Sequence, residues 1–121
     1  MEAILDSSFI LSSIKSKIDF VAALEEKGFT VKVPKEVLLE LKDLRQKVSH
    51  DERVAIDLGL ELMEKSGVKK MVLGKNKVDL GLISRGKTGS YIATLDNAIR
   101  REIPNAITLS STKKDILIER K

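Results

Sequence analysis

Asp6 follows the apolar run Ala3, Ile4, Leu5 near the start of the chain, and two hydroxyl residues, Ser7 and Ser8, come directly after it. The arrangement recurs where Tyr91, Ile92, Ala93, Thr94 and Leu95 run into Asp96. Each segment reads as a strand that ends by presenting a carboxylate and a hydroxyl. In a parallel sheet the residues just beyond the carboxyl ends of the strands share one crevice, so two acids ninety positions apart can meet there. Glu40, in a leucine-rich helical segment, and Asp79, at the start of a glycine-rich stretch, are two more acids that such a crevice could collect. Hard divalent cations such as Mg²⁺ and Mn²⁺ take oxygen ligands, and unpaired carboxylates packed together repel unless a cation neutralises them. A metal-binding acidic cleft is therefore the leading chemical expectation.

Each acid also has an ordinary structural role open to it. Asp6 and Asp96 can cap the helices that follow them, and Asp79 can be an N-cap. Glu36, Glu40 and Asp43 follow i, i+4, i+7 spacing, which by itself makes a solvated acidic face. Glu40 is nonetheless flanked by Leu38, Leu39 and Leu41, where a carboxylate needs a reason to stand.

Composition narrows the chemistry. The 121 residues fit one domain, 1–121, with no linker, repeat or low-complexity segment inside it. With no cysteine there is no disulfide, thiolate metal site or cysteine nucleophile, and His50 as the only histidine disfavours zinc. His50 itself lies between Ser49 and Asp51 in a polar connection and reads as a surface residue rather than a general base. No apolar run approaches the roughly 20 residues that span a bilayer, and the N-terminus lacks the layout of a signal peptide, so the expected location is the cytoplasm without membrane attachment. The net charge of +4 and a pI of about 9.3 favour a polyanionic partner. At 3% aromatic content, any contact with nucleic acid should fall on phosphates rather than on a stacking platform. Arg85, Lys87, Arg100 and Arg101 are the candidates for that contact. The last two can equally be a solvated helix end, where cations are favoured anyway.

Short apolar runs alternate with helical spacing along the whole chain, which predicts an α/β architecture. After the first strand, a helical stretch starts at Phe9, and a second lies around Asp19 with Gly28 as its stop. Thr30 to Val33 is the second strand, and Pro34 opens a helix with Val37, Leu38, Leu41 and Leu44 on its buried stripe. Ser49 and Glu52 have capping-box spacing ahead of a helix bearing Val54, Leu58 and Leu62, which Gly67 ends. Met71 to Leu73 is the third strand. Gly74 to Gly89 is expected to hold one irregular helical turn, Tyr91 to Leu95 a fourth strand, and Asn97 to Glu102 a short helix stopped by Pro104. Ala106 to Leu109 is the fifth strand, and Ile116 to Ile118 a sixth or edge strand.

Taken together, Ile4-Leu5-Asp6-Ser7-Ser8-Phe9, Val33-Pro34-Lys35-Glu36-Val37-Leu38-Leu39-Glu40-Leu41 and Ile92-Ala93-Thr94-Leu95-Asp96 resemble a PIN-domain nuclease over essentially the whole chain. The resemblance implies a three-layer α/β/α sandwich with a mainly parallel central sheet. It implies that Asp6, Glu40, Asp79 and Asp96 are both the catalytic acids and the ligands of Mg²⁺ or Mn²⁺, and that the Ser8 and Thr94 hydroxyls hold carboxylates or a coordinated water. It further implies an endoribonuclease acting on single-stranded RNA, usually a homodimer, serving as a toxin with an antitoxin or in RNA maturation with an RNA-processing protein. A non-catalytic RNA- or protein-binding module of the same fold is the alternative. The pattern departs from the family at Gly81, Gly86 and Gly89, which interrupt the region where a well-formed helix is usual and would displace Asp79.

The same region, Gly81 to Thr88, matches the phosphate-loop pattern G-x-x-x-x-G-K-[ST] letter for letter. That loop works only with a strand before it and a helix after it. Here a strand-like segment follows, so Arg85 and Lys87 are expected on a loop near the acidic crevice instead.

Overall fold

The computed structural model describes residues 1–74, 77–110 and 112–121. In chain order the elements are β1 (Glu2–Leu5), α1 (Ser7–Lys15), α2 (Phe20–Glu26), β2 (Thr30–Pro34), α3 (Lys35–Arg45) and α4 (His50–Lys65). They continue with β3 (Lys69–Met71), α5 (Val78–Lys87), β4 (Tyr91–Ala93), α6 (Asn97–Arg100), β5 (Asn105–Ser110) and β6 (Asp115–Arg120). The strands form one sheet in the order β3-β2-β1-β4-β5-β6. All neighbours pair in parallel except β5 and β6, which form an antiparallel edge.

Side-chain alternation along the central strands divides the core into two layers. Ala3 and Leu5 of β1, with Tyr91 and Ala93 of β4, join Phe9, Phe20, Val37 and Ile56 beneath α1 to α4. Ile4 and Ile92 face the other way, toward Leu82 of α5 and Ile99 beside Ile103. Helices thus cover both faces of a mainly parallel sheet, the α/β/α sandwich expected from the sequence. The chain winds outward from β1 to β3 and then returns to place β4 on the other side of β1. Strand order therefore reverses between β1 and β4, and a crevice opens beyond the carboxyl ends of those two strands.

The structure corrects the sequence reading in three places. First, two strands end early: β3 is Lys69–Met71, with Val72 and Leu73 beyond it, and β4 is Tyr91–Ala93, with Thr94 and Leu95 beyond it. Second, the residues buried on α4 are Ala55, Ile56, Gly59 and Met63, whereas Val54 and Leu58 are 42% and 50% exposed. The α4 backbone comes so close to α1 that a Cβ at Gly59 would stand 3.0 Å from Ile10 Cγ2, which favours a glycine-centred stripe over the leucine one. Third, Gly74 to Gly89 is not an irregular turn, because ten of its residues form α5. Glycine inside a helix costs about 1 kcal/mol relative to alanine. Here it permits contact that a side chain would block: a Cβ at Gly81 would lie 2.8 Å from Leu73 Cβ, and one at Gly86 2.5 Å from Ile103 Cγ2. Burial of Leu82 beneath the same helix, and of Ile103 against Gly86, offsets the propensity cost.

Candidate functional site

Asp6 is the first residue past β1 and the N-cap of α1. One carboxylate oxygen accepts from the Ser7 N–H at 2.9 Å, as a cap does. The other accepts from the Ser8 hydroxyl at 3.1 Å and from the Thr94 hydroxyl at 2.7 Å. Thr94, the first residue past β4, has no exposed surface, and Asp6 is 6% exposed. The Thr94 oxygen also accepts from the Asp96 N–H at 3.1 Å, while Ser8 Oγ accepts from the Leu95 N–H at 3.1 Å. The ends of β1 and β4 are thereby joined by hydroxyls that donate to one carboxylate and accept from the connection between β4 and α6, and Asp6 is fixed in position.

Two further acids reach this point from helices on opposite faces of the sheet. Glu40 lies in α3, which begins directly at Pro34 as its N-cap. Asp79 lies in the first turn of α5. Burial above all, and then the charge of Asp79, push the Asp6 carboxyl above its usual range, against the hydrogen bonds from Thr94, Ser8 and Ser7. The Glu40 carboxyl is also raised, first by partial desolvation and then by the charges of Asp6 and Asp79, while the Ser7 hydroxyl pulls the other way. Glu40 as a whole residue is exposed, so only its carboxyl end shares the crevice. Asp6, Glu40 and Asp79 therefore form one electrostatic unit.

Asp79, which an irregular loop would have displaced, is a member of that unit because α5 is a regular helix. Asp96 stands somewhat apart. Its amide is tied to Thr94, but one of its carboxylate oxygens caps α6 by accepting from the Ala98 N–H at 2.9 Å. Among the described residues, no group of three or more acidic or histidine side chains is placed to hold a metal ion as the side chains stand.

The expected cations lie elsewhere. Arg85 and Lys87 are in the last turn of α5, not on a loop beside the acids. The Arg85 guanidinium donates to the Val72 carbonyl at 3.2 Å, and its charge is felt at Glu2, at the opposite end of β1 from Asp6. Ser90, just past α5, donates to that same Glu2 at 3.1 Å, so the helix runs away from the crevice. Arg100 donates through Nε to Glu119 at 3.1 Å and through Nη1 to Asn97 at 3.0 Å. Glu119 pairs with Ala106 near the start of β5, again the far end of the sheet. Lys87 and Arg101 are exposed. The phosphate-loop pattern is absorbed too: Gly81 to Lys87 lies inside α5, and β4 follows it rather than a helix. Exposed His50 is the first residue of α4.

Glu36 is the residue whose part the sequence hid. It reads there as one member of an acidic face, yet its carboxylate accepts from the Leu73 N–H at 3.0 Å and the Gly74 N–H at 3.1 Å. Despite a burial penalty, its own N–H and those two hold the Glu36 carboxyl below its usual range. The available signal was its position in the first turn of a helix, where an acid is favoured by the helix dipole.

No protein-family model matches the sequence, and comparison with curated proteins finds no match. Comparison with solved structures finds the PIN domain endonuclease Utp24, with a TM-score of 0.78 at 17% identity, over 99% of this chain and 92% of that one. The chain therefore has the PIN-domain fold.

Proposed function

On the premise of a PIN-domain fold, we propose that this chain is a Mg²⁺- or Mn²⁺-dependent endoribonuclease that hydrolyses phosphodiester bonds of single-stranded RNA. The observation that carries the proposal is the convergence of Asp6, Glu40 and Asp79 from three elements onto the strand-order reversal, where the carboxyls of Asp6 and Glu40 are raised by burial and by neighbouring negative charge. An all-oxygen donor set short of positive charge suits a hard divalent cation. Asp6, Glu40 and Asp79, with Asp96 beside them, would hold it. Glu40 and Asp79 are exposed, so their side chains can turn toward an ion without unpacking the core. A divalent ion bound there would acidify water and neutralise charge on the phosphoryl and leaving oxygens.

The residues of the chain supply placement. Thr94 and Ser8 fix the direction of the Asp6 oxygens, and the α5 backbone brings Asp79 to the same crevice. A single flexible strand can bend its backbone toward recessed carboxylates more readily than a duplex can. The reading extends to a cytoplasmic homodimer of single-domain chains, working as a toxin held by an antitoxin or as an RNA-maturation enzyme beside an RNA-processing protein. Among the described residues no helix is long and apolar enough to cross a membrane.

Cleavage of an end-labelled single-stranded RNA, with Mn²⁺ or with chelator, tests the proposal. Wild type should cut only with the ion, and Asp6→Asn should not cut. The specific observation favouring the alternative, a non-catalytic binding module, is that among the described residues no three acids are placed to hold an ion as they stand. RNA bound but uncut at every Mn²⁺ concentration would establish that alternative.

A further inference from the structure

Asp79 and Glu40 sit on helices that cover opposite faces of the sheet, so something must fix the distance between them. The connection from β3 into α5 passes through Leu73, and Leu73 is gripped from both sides. Its N–H, with that of Gly74, is bound by the carboxylate of Glu36, which lies one turn before Glu40 on α3. Its side chain, 7% exposed, packs against the backbone of α5 at Gly81, two residues after Asp79, so closely that a Cβ there would stand 2.8 Å from Leu73 Cβ. A third tie holds the same segment: Arg85 of α5 donates to the carbonyl of Val72 at 3.2 Å. The path Glu36, Leu73, Gly81, Asp79 is continuous, short and built of contacts that tolerate little displacement.

We propose that Glu36 is a positioning residue that, by clamping Leu73 and Gly74 against α3, sets the start of α5 and hence the placement of Asp79 relative to Glu40 and Asp6. This inference rests on the nuclease reading for its catalytic consequence, not for its mechanical one. A carboxylate accepting from two successive backbone N–H groups is a strong, charge-assisted clamp. Both N–H groups fall on Oε2 and the Leu73 N–H also reaches Oε1 at 3.2 Å, so glutamine removes the charge and sets an amide N–H against the Leu73 N–H where Oε1 accepted it. Glu36→Gln therefore loosens the grip without removing volume. Gly81→Ala disturbs the same path from the other end, because the new methyl must push α5 away from Leu73 while both clamp bonds stay available.

The test has two arms. In metal-free protein, amide hydrogen exchange should speed up at Leu73 and Gly74 and through the first turn of α5 around Asp79 in Glu36→Gln, with α1 and β1 unchanged. In the cleavage assay, kcat should fall about tenfold to a hundredfold, since a misplacement on the order of 1 Å costs about that much. The Mn²⁺ concentration for half-maximal rate should rise, and KM for RNA should stay within about twofold, because Glu36 holds a catalytic group and not the substrate. A merely structural role would move neither the metal dependence nor kcat apart from KM. Gly81→Ala should reproduce the kinetic pattern with protected Leu73 and Gly74 amides, and it decides the matter alone if Glu36→Gln does not fold. Unchanged exchange in Glu36→Gln, or wild-type kcat and metal dependence in a variant whose α5 start has loosened, would overturn the proposal. The exchange arm reads the clamp whether or not RNA is cut, and wild-type cleavage reads the nuclease assignment alone, so each can fail without the other.

Discussion

Thr94 Oγ1 donates to Asp6 Oδ2 at 2.7 Å across 88 positions of sequence, and the bond joins the carboxyl ends of the two strands between which the sheet changes direction. The Thr94 oxygen also accepts from the Asp96 N–H, so one hydroxyl serves both acids that end a strand.

Thr94→Val keeps the shape of this side chain and removes both bonds. It leaves the buried Asp6 carboxylate short of a donor and the Asp96 N–H short of an acceptor, at a cost of about 1–3 kcal/mol for such a loss. Urea unfolding at neutral pH should show a lower midpoint with an unchanged slope, and Thr94→Ser should recover most of the difference.

The raised carboxyls of Asp6 and Glu40 give the metal-free protein a definite pH response. A carboxyl whose folded pKa lies above its unfolded value binds its proton more tightly in the folded state. Its contribution to stability is complete below the unfolded pKa and is lost as pH rises through the folded one. The ordinary values are 3.8 for Asp6 and 4.5 for Glu40, and both shifts are upward. Glu40→Gln removes one of the two titrations and relieves the repulsion on Asp6. Denaturant unfolding at pH values below and above that window should show the variant losing less stability than wild type as pH rises. Parallel pH curves would mean that neither burial nor the charges of the other two acids raise the Glu40 carboxyl.

Gly86→Ala probes the helix that carries Asp79. A methyl group at this position would stand 2.5 Å from Ile103 Cγ2 and 3.2 Å from Ile92 Cγ1, both buried branched side chains with little room to move. Overpacking of this kind costs about 1–3 kcal/mol, which exceeds the gain in helix propensity of about 1 kcal/mol. Thermal unfolding should therefore show a net loss; a gain would mean that α5 does not lie against the sheet at Gly86.

The order of strands and helices was legible in the sequence because each central strand reads as a short apolar run ending in a polar residue, and Asp6, Thr94 and Asp96 all stand at such ends. The place of Asp6 was legible for the same reason, but Asp96 at the other strand end caps α6, and the acids whose charges bear on Asp6 and on one another, Glu40 and Asp79, come from helices. What the sequence concealed depends on contacts rather than pattern. Gly81 and Gly86 break helical propensity locally, and only the approach of Leu73 and Ile103 explains why a helix forms through them. Glu36 and Glu40 share i, i+4 spacing and look alike, yet one binds backbone amides while the other faces Asp6 and Asp79. Arg85 and Arg100 looked like free cations, and their partners, the Val72 carbonyl and Glu119, are remote in sequence.

The central claim is that Asp6, Glu40 and Asp79 act together as a site for a divalent cation, and thermal unfolding of wild type and Asp79→Asn with and without Mn²⁺ tests it most directly. Asp79 is an exposed first-turn residue of α5, so asparagine keeps the shape and removes one charge with little else. An ion that binds only the folded arrangement stabilises it by about 2.7 kcal/mol at a hundredfold excess over its Kd. Wild type should gain several degrees on adding Mn²⁺, and Asp79→Asn should unfold no earlier than wild type without the ion and gain little with it. An equal gain in both proteins, or none in wild type, would contradict the claim.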